Sequence, residues 1–219
     1  MKVIQALKSS SESRNVKTFF KNKNIDYQSV ISARLEHGSK IAFIDRNKTL
    51  QAAPGFDGLA TSTPGAYLSV TVADCFPVYL FQPSASVVGI LHAGWRSIHG
   101  GIVHNALELL HFRGIDLRNL LVGIGPGIRQ CHFKVQSDVE QFFIKYPSCI
   151  KRDRLAIYID LANIIRSQMI TGGVQKENIE DCMHCTACAS DDYFSYRISE
   201  DKKKVKAMIA YIGLTYSHD

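Results

Sequence analysis

The chain has 219 residues, 46% of them hydrophobic and 21% charged, with a net excess of six positive charges. One domain of that length buries roughly 70% of its unfolded surface, and the composition excludes a disordered tail, a collagen and a coiled coil. Six cysteines are too sparse for a small disulfide scaffold. The densest basic cluster is Lys202, Lys203, Lys204 and Lys206 beside Glu200 and Asp201. It reads as a solvated turn, with a weak attraction for anionic small molecules as the alternative.

In chain order, residues 1–10 suggest a short strand, and Ser9, Ser10 and Ser11 can cap a helix over 12–23 that ends near Asn24. Strands are expected at 30–35 and 39–45, turn chemistry at 53–58, and strands at 67–73, 77–81 and 87–92. The period then changes. Val103, Ala106, Leu107 and Leu110 share one face of a helix over 99–112, with Gly114 at its end. A strand at 120–124 runs into the turn Gly125-Pro126-Gly127. Helices are expected at 136–145 and 160–171, the second carried by Leu161, Ile164, Ile165 and Met169. Strands at 193–198 and 205–211 close the chain. Mixed elements without regular βαβ alternation predict an α+β fold: a single-domain layered α/β sandwich over residues 1–219, with mixed β-sheets flanked by helices.

No segment approaches the roughly 18 apolar residues of a membrane span. Residues 1–8 lack the apolar core and cleavage site of an export signal. A cytoplasmic protein with reduced cysteines is the expectation. No basic stripe with interleaved aromatics points to nucleic acid, and oligomeric state is not readable.

Chemistry concentrates where two apolar runs end abruptly, at Thr71-Val72-Ala73-Asp74-Cys75-Phe76-Pro77 and at Leu91-His92-Ala93-Gly94-Trp95-Arg96. Strand ends are where a rigid scaffold holds reactive groups at a cleft. Cys75 and His92 are too far apart in sequence for local spacing to join them. A functional pair and a buried cysteine beside a hydrogen-bonded histidine are both open on the residues alone.

These stretches resemble the laccase-domain family, also called the polyphenol oxidase or purine nucleoside phosphorylase family. Ala73-Asp74-Cys75-Phe76-Pro77-Val78 is similar to its A-D-C-x-P-V box, and His92-Ala93-Gly94-Trp95-Arg96 matches H-A-G-W-R in full. Glu36-His37-Gly38 stands at Q-V-H-G, and Phe56-Asp57-Gly58-Leu59-Ala60-Thr61 resembles A-D-G-L-V-T. Gly125-Pro126-Gly127-Ile128 with Cys131 resembles G-P-x-I-G-x-C, and Phe194-Ser195-Tyr196-Arg197 matches F-S-Y-R.

The resemblance implies a zinc site of His37, Cys75 and His92, with copper as the lesser alternative. Two imidazoles and a thiolate leave a fourth tetrahedral position open, the pattern of catalytic zinc. Water on such a zinc ionises near pH 7, as in the deaminases that attack C6 of adenine. The family implies phosphorolysis of adenosine, inosine, guanosine and methylthioadenosine, and deamination of adenosine. The partners are then a purine nucleoside and phosphate. Arg96 is the candidate phosphate clamp, its fork suited to phosphate oxygens. Asp74 is the candidate catalytic carboxylate, protonating or bonding the purine, or else orienting a ligand histidine. Trp95 is read as core before base platform.

Departures bear on substrate preference. The T-R-x-G-G segment that opens many members is not in this sequence, so any function it carries is expected to be missing or replaced. Leu35 replaces the glutamine of Q-V-H-G, and Arg129, His132 and Lys134 replace a glycine, a cysteine and a glutamate. Cys182, Cys185 and Cys188 form a C-x2-C-x2-C run, but Asp192 stands where a ferredoxin run has its fourth cysteine. An iron–sulfur or structural zinc site and a plain small-residue loop are the two readings. The eight histidines include no His-x-His pair, which disfavours multicopper oxygen chemistry. His99, His104 and His111 are expected on or beside one exposed helix. The competing functions are a hydrolase or deamidase with Cys75 as nucleophile and His92 as its base, and a non-enzymatic metal-binding module.

Overall fold

Three strands that run the same way in one sheet, each crossing to a second sheet at the same end, set the architecture. The computed structural model describes residues 2–8, 13–45, 52–154 and 156–215. The elements begin β1 (Lys2–Lys8), α1 (Ser13–Lys21), β2 (Val30–Arg34), β3 (Ile41–Ile44), β4 (Ala52–Pro54), β5 (Gly58–Thr61), β6 (Tyr67–Val72), β7 (Phe76–Gln82) and β8 (Val87–Ala93). They continue with α2 (Trp95–His99), α3 (Ile102–Phe112), β9 (Leu121–Ile124), β10 (Lys134–Val135), α4 (Ser137–Glu140), β11 (Ile150–Asp153), β12 (Ala156–Ile159), α5 (Leu161–Thr171), β13 (Ile179–Asp181) and β14 (Met208–Gly213).

One mixed sheet has the order β1-β14-β6-β2-β4, the other β13-β9-β7-β8-β5-β3, and β10-β12-β11 forms a small third sheet. The two large sheets pack face to face through Leu68, Val70 and Val72 of β6, Met208, Ala210 and Ile212 of β14, and Leu59, Tyr79, Val88 and Ile90 of the second sheet. The period of two sends alternate residues of the second sheet the other way. Val78, Leu80, Leu91, Val122 and Ile124 therefore meet Ile98, Val103, Leu107, Leu110, Ile164 and Ile165 on α2, α3 and α5. Phe20 of α1 packs with Val30, Ile209 and Tyr211 on the first sheet's outer face. The result is helix, sheet, sheet, helix: the mixed α/β sandwich the sequence predicts.

β4 and β6 each pair parallel with β2, so all three end at the same edge. From there β2 passes to β3, β4 to β5 and β6 to β7, each time changing sheet. β8 runs antiparallel to β5 and β7, so its C-terminal end returns to that edge too.

Several expectations are corrected. The helix expected over 99–112 is two helices, because Gly100 and Gly101 interrupt it, Gly101 at φ 87°, a left-handed value that favours glycine. The helix expected over 136–145 is one α-turn followed by a 3-10 turn at Gln141–Phe143. The expected turn at 53–58 contains β4 and the first residue of β5; only 55–57 turn. Residues 193–198 form no strand, because they fold around Asp74 and leave Tyr196 and Ile198 exposed. The last strand begins at Met208, three residues later than expected. β10–β13 were not anticipated; they have two to four residues each, too short for periodicity to register. Ser9–Ser11 lie outside the described residues. The lysine cluster is an exposed turn, where Lys202 Nζ donates to the Arg197 carbonyl at 2.9 Å and Lys204 pairs with Asp201 at 3.5 Å.

Candidate metal centre and active-site cleft

The three crossovers and the end of β8 bring together the residues singled out from sequence. His37 lies in the β2–β3 crossover, Asp57 in β4–β5, Cys75 in β6–β7, and His92 near the end of β8. Register fixes the last of these, since Pro77 opposes His92 and Gly58 opposes Leu91. The ligand atoms of His37, Cys75 and His92 lie within 4.8 Å of one another. The two imidazoles meet edge to face at 4.8 Å.

Asp57 organises the group, and sequence reasoning passed over it as turn chemistry. The carboxylate is fully buried and satisfied four times. Oδ1 accepts from His37 N–H at 2.9 Å and faces His92 Nδ1 at 2.9 Å. Oδ2 accepts from Gly38 N–H at 2.8 Å and Glu36 N–H at 3.1 Å. The Asp57 carbonyl also accepts from His92 N–H at 2.7 Å. Successive N–H groups converging on an anion form a nest, and this one requires the left-handed backbone of His37, at φ 56°. An ionised carboxylate only accepts, so His92 Nδ1 carries the proton and Nε2 is left for the cleft side. Burial pushes the Asp57 carboxyl up, but the bonds from His92, Gly38 and Glu36 outweigh it and hold it below its ordinary value. Its Asp-Gly step within the A-D-G-L-V-T-like segment was the available signal.

The thiol answers the same field. Burial pushes Cys75 up, while hydrogen bonds from His37 and His92 bring it down to about 7. Burial pulls His92 down, while Asp57 and then Cys75 raise it to about 9. Gly94 is dictated by space, since a Cβ there would sit 2.7 Å from Cys75 Sγ and 3.5 Å from His37 Cδ2.

Asp74 is also left-handed, at φ 84°. Its Oδ1 accepts from Thr186 Oγ1 at 2.6 Å and its Oδ2 from Arg197 N–H at 2.7 Å. The position against the His92 imidazole, which corresponds to one of two roles expected of Asp74, is filled by Asp57. Asp74 ties the 186 and 197 segments to the Cys75 turn.

Around these groups opens a cleft of about 590 Å³, in the range of small-molecule sites. Leu35, Ile128, Phe133 and Tyr196 supply apolar wall, and Trp95, Arg96 and Arg197 also line it. Trp95 does double duty, stacking on Phe142 at 5.9 Å against the core while bordering the cleft. Arg96 lies over the Trp95 ring at 4.2 Å and, among the described residues, has no carboxylate partner. Arg197 donates instead to the carbonyls of His132 and Lys134, both at 2.9 Å. Arg129 is likewise committed, in a two-pronged ion pair with Asp181. His99, His104 and His111 are exposed on α2 and α3, away from the cleft lining.

Two N donors and one S donor, with a carboxylate fixing one imidazole, suit a borderline-soft ion such as zinc. A mixed two-sheet sandwich with a His/Cys/His group at the crossover edge defines a class, and the class is a known one. Residues 8–215 match the family model described as multi-copper polyphenol oxidoreductase laccase, and the chain belongs to that family. The chain is 34% identical over 191 residues to purine nucleoside phosphorylase YlmD of Geobacillus stearothermophilus, covering 81% of this chain and 69% of that one. It is 30% identical over 186 residues to adenosine deaminase RL5 of an unknown prokaryotic organism, covering 79% and 71% respectively. The crystal structure of YlmD from Geobacillus stearothermophilus superposes with a TM-score of 0.84 at 29% identity, over 92% of this chain and 79% of that one. Among the described residues no helix is long and apolar enough to cross a membrane.

Proposed function

We propose that this chain is a metal-dependent purine nucleoside phosphorylase with adenosine deaminase activity, using zinc held by His37, Cys75 and His92. The observation that carries the reading is the meeting of these three residues, backed by Asp57, in one cleft with the guanidinium of Arg96, which has no carboxylate partner among the described residues. The names borne by the relatives supply the substrate class. When bound, zinc would contribute a Lewis acid and an acidified water.

The chain's own residues do the rest. Asp57 keeps the His92 proton on Nδ1 and fixes the ring. Arg96 binds phosphate with its fork. Leu35, Phe133 and Tyr196 shield the nucleoside from water. In phosphorolysis a phosphate oxygen bonds to ribose C1′ as the bond to the purine nitrogen breaks, and the base leaves with a proton. In deamination water adds at C6 and ammonia leaves. Asp74 serves by positioning Cys75 rather than as proton donor to the base, because both its oxygens already accept hydrogen bonds. The whole chain acts as one catalytic domain in the cytoplasm.

The test is incubation of purified, zinc-loaded protein with adenosine, with and without phosphate. Adenine and ribose 1-phosphate are expected with phosphate, and inosine without it. If neither base nor inosine forms, the reading is wrong.

The Cys75 thiol at about 7 favours one rival, a hydrolase with Cys75 as nucleophile. Alkylation separates them: iodoacetamide should spare a metal-bound Cys75 and block a free nucleophile.

A further inference from the structure

Among the described residues, one other group gathers metal-binding side chains: Cys131, His132, Cys185 and Cys188, whose ligand atoms lie within 4.8 Å of one another. His132 Nδ1 lies 3.3 Å from Cys131 Sγ, 3.3 Å from Cys188 Sγ and 3.8 Å from Cys185 Sγ. Cys131 Sγ lies 3.6 Å from Cys188 Sγ.

These spacings can be compared with a metal polyhedron. Zinc bonds of about 2.3 Å to sulfur and about 2.05 Å to nitrogen generate tetrahedral edges of about 3.8 Å between sulfurs and about 3.6 Å between sulfur and nitrogen. The four separations given above fall within about 0.3 Å of those values. A disulfide would need about 2.05 Å, so the sulfurs stand apart as a ligand set does.

The backbone supports the same reading. Arg129 N–H reaches Cys185 Sγ at 3.5 Å, and the N–H groups of Ala187 and Cys188 also donate to it. Amide donors folded back on the first sulfur of a C-x2-C turn stabilise a thiolate and shape the turn around an ion. Cys182 is outside the group, so the C-x2-C-x2-C run does not act as a unit. The set is three thiolates and an imidazole, with Cys131 and His132 coming from more than 50 residues earlier.

We propose that Cys131, His132, Cys185 and Cys188 form a second, structural zinc site distinct from the cleft. Four protein ligands leave no position open for substrate, which separates its work from that of the first group. It joins the loop after β9 to the loop after β13. Those loops also touch through the Gly127–Cys185 bridge, including Thr186 N–H to the Gly127 carbonyl at 3.1 Å, and through Arg129, whose Nε donates to the His184 carbonyl at 3.3 Å. Thr186, between two of the ligands, is the residue that donates to Asp74 beside Cys75. The second ion thus steadies the cleft wall from behind without meeting the nucleoside.

The test is zinc content per chain after gel filtration in a reducing buffer, which does not depend on any assumed reaction. Two equivalents are expected in the unaltered protein, one in a Cys75→Ala/His92→Ala variant, and one in a Cys185→Ser/Cys188→Ser variant. Should the last fail to fold, the Cys75→Ala/His92→Ala chain decides alone. Loaded with cobalt(II), it should show an intense thiolate-to-cobalt charge-transfer band, and its Cys131 and Cys188 should resist alkylation until a chelator is added. The proposal is overturned if that variant holds no tightly bound metal, if its cobalt spectrum lacks thiolate charge transfer, or if mass spectrometry finds Cys131 and Cys188 disulfide-bonded.

Discussion

The two Cys/His groups of this chain use the same donor types and differ in number, backing and surroundings. The first collects three donors on separate crossovers, with a buried carboxylate behind one and a cleft in front. The second collects four donors on two adjoining loops, with amide N–H groups behind one sulfur. An incomplete shell facing a cleft is an arrangement for chemistry; a complete shell between loops is an arrangement for holding them. Asp74 connects the two, since it precedes Cys75 and accepts from Thr186.

The comparison can be broken most severely at His92. His92→Ala should lower nucleoside turnover by about 10³-fold, the rate equivalent of several kcal/mol of Lewis-acid stabilisation, while zinc content falls by one equivalent and not two. Loss of both ions would merge the groups into one system. Next comes Asp181→Asn, beside the second group. Asp181 and Arg129 are almost buried, and breaking such a pair costs about 3 kcal/mol of stability. Burial pushes Asp181 up, but Arg129 outweighs it and holds the carboxyl below its ordinary value of 3.8. A depressed folded pKa contributes stability above that value and loses it as pH falls through the lowered one. Denaturant melts should therefore show a wide gap between the parent and Asp181→Asn at pH 7 that closes in acid.

Asp57→Asn sharpens the first group's side of the contrast. Removing the charge that orients a ligand histidine should weaken metal binding or activity by about 10–100-fold, measured by competition with a chromogenic chelator. The smallest effect is expected at Arg96. Arg96→Gln should raise the KM for phosphate by about tenfold, the loss of one charge-assisted hydrogen bond. It should leave phosphate-independent deamination unchanged, which initial rates in the two assays would reveal.

How much of this was legible in the sequence varies with the kind of pattern. The α3 and α5 faces and the long strands announced themselves through Val103, Leu107, Leu110, Ile164 and Ile165, because each element spans enough residues for its period to show. His37, Cys75 and His92 were named from their motifs, but nothing local says that they meet. Their meeting depends on β2, β4 and β6 being parallel, a property of strand pairing. Asp57 was hidden because Asp before Gly also serves as ordinary turn chemistry. The second group was half visible as C-x2-C. Its other half, Cys131-His132, lies across a loop-to-loop contact that no spacing rule predicts.

The most direct test of the account compares Cys75→Ser with Cys188→Ser in release of hypoxanthine from inosine and phosphate. The account predicts that Cys75→Ser abolishes release while retaining one equivalent of zinc, and that folded Cys188→Ser still releases the base. Normal release by Cys75→Ser, or none by a folded Cys188→Ser that keeps its other zinc, would contradict the assignment of chemistry to the first group.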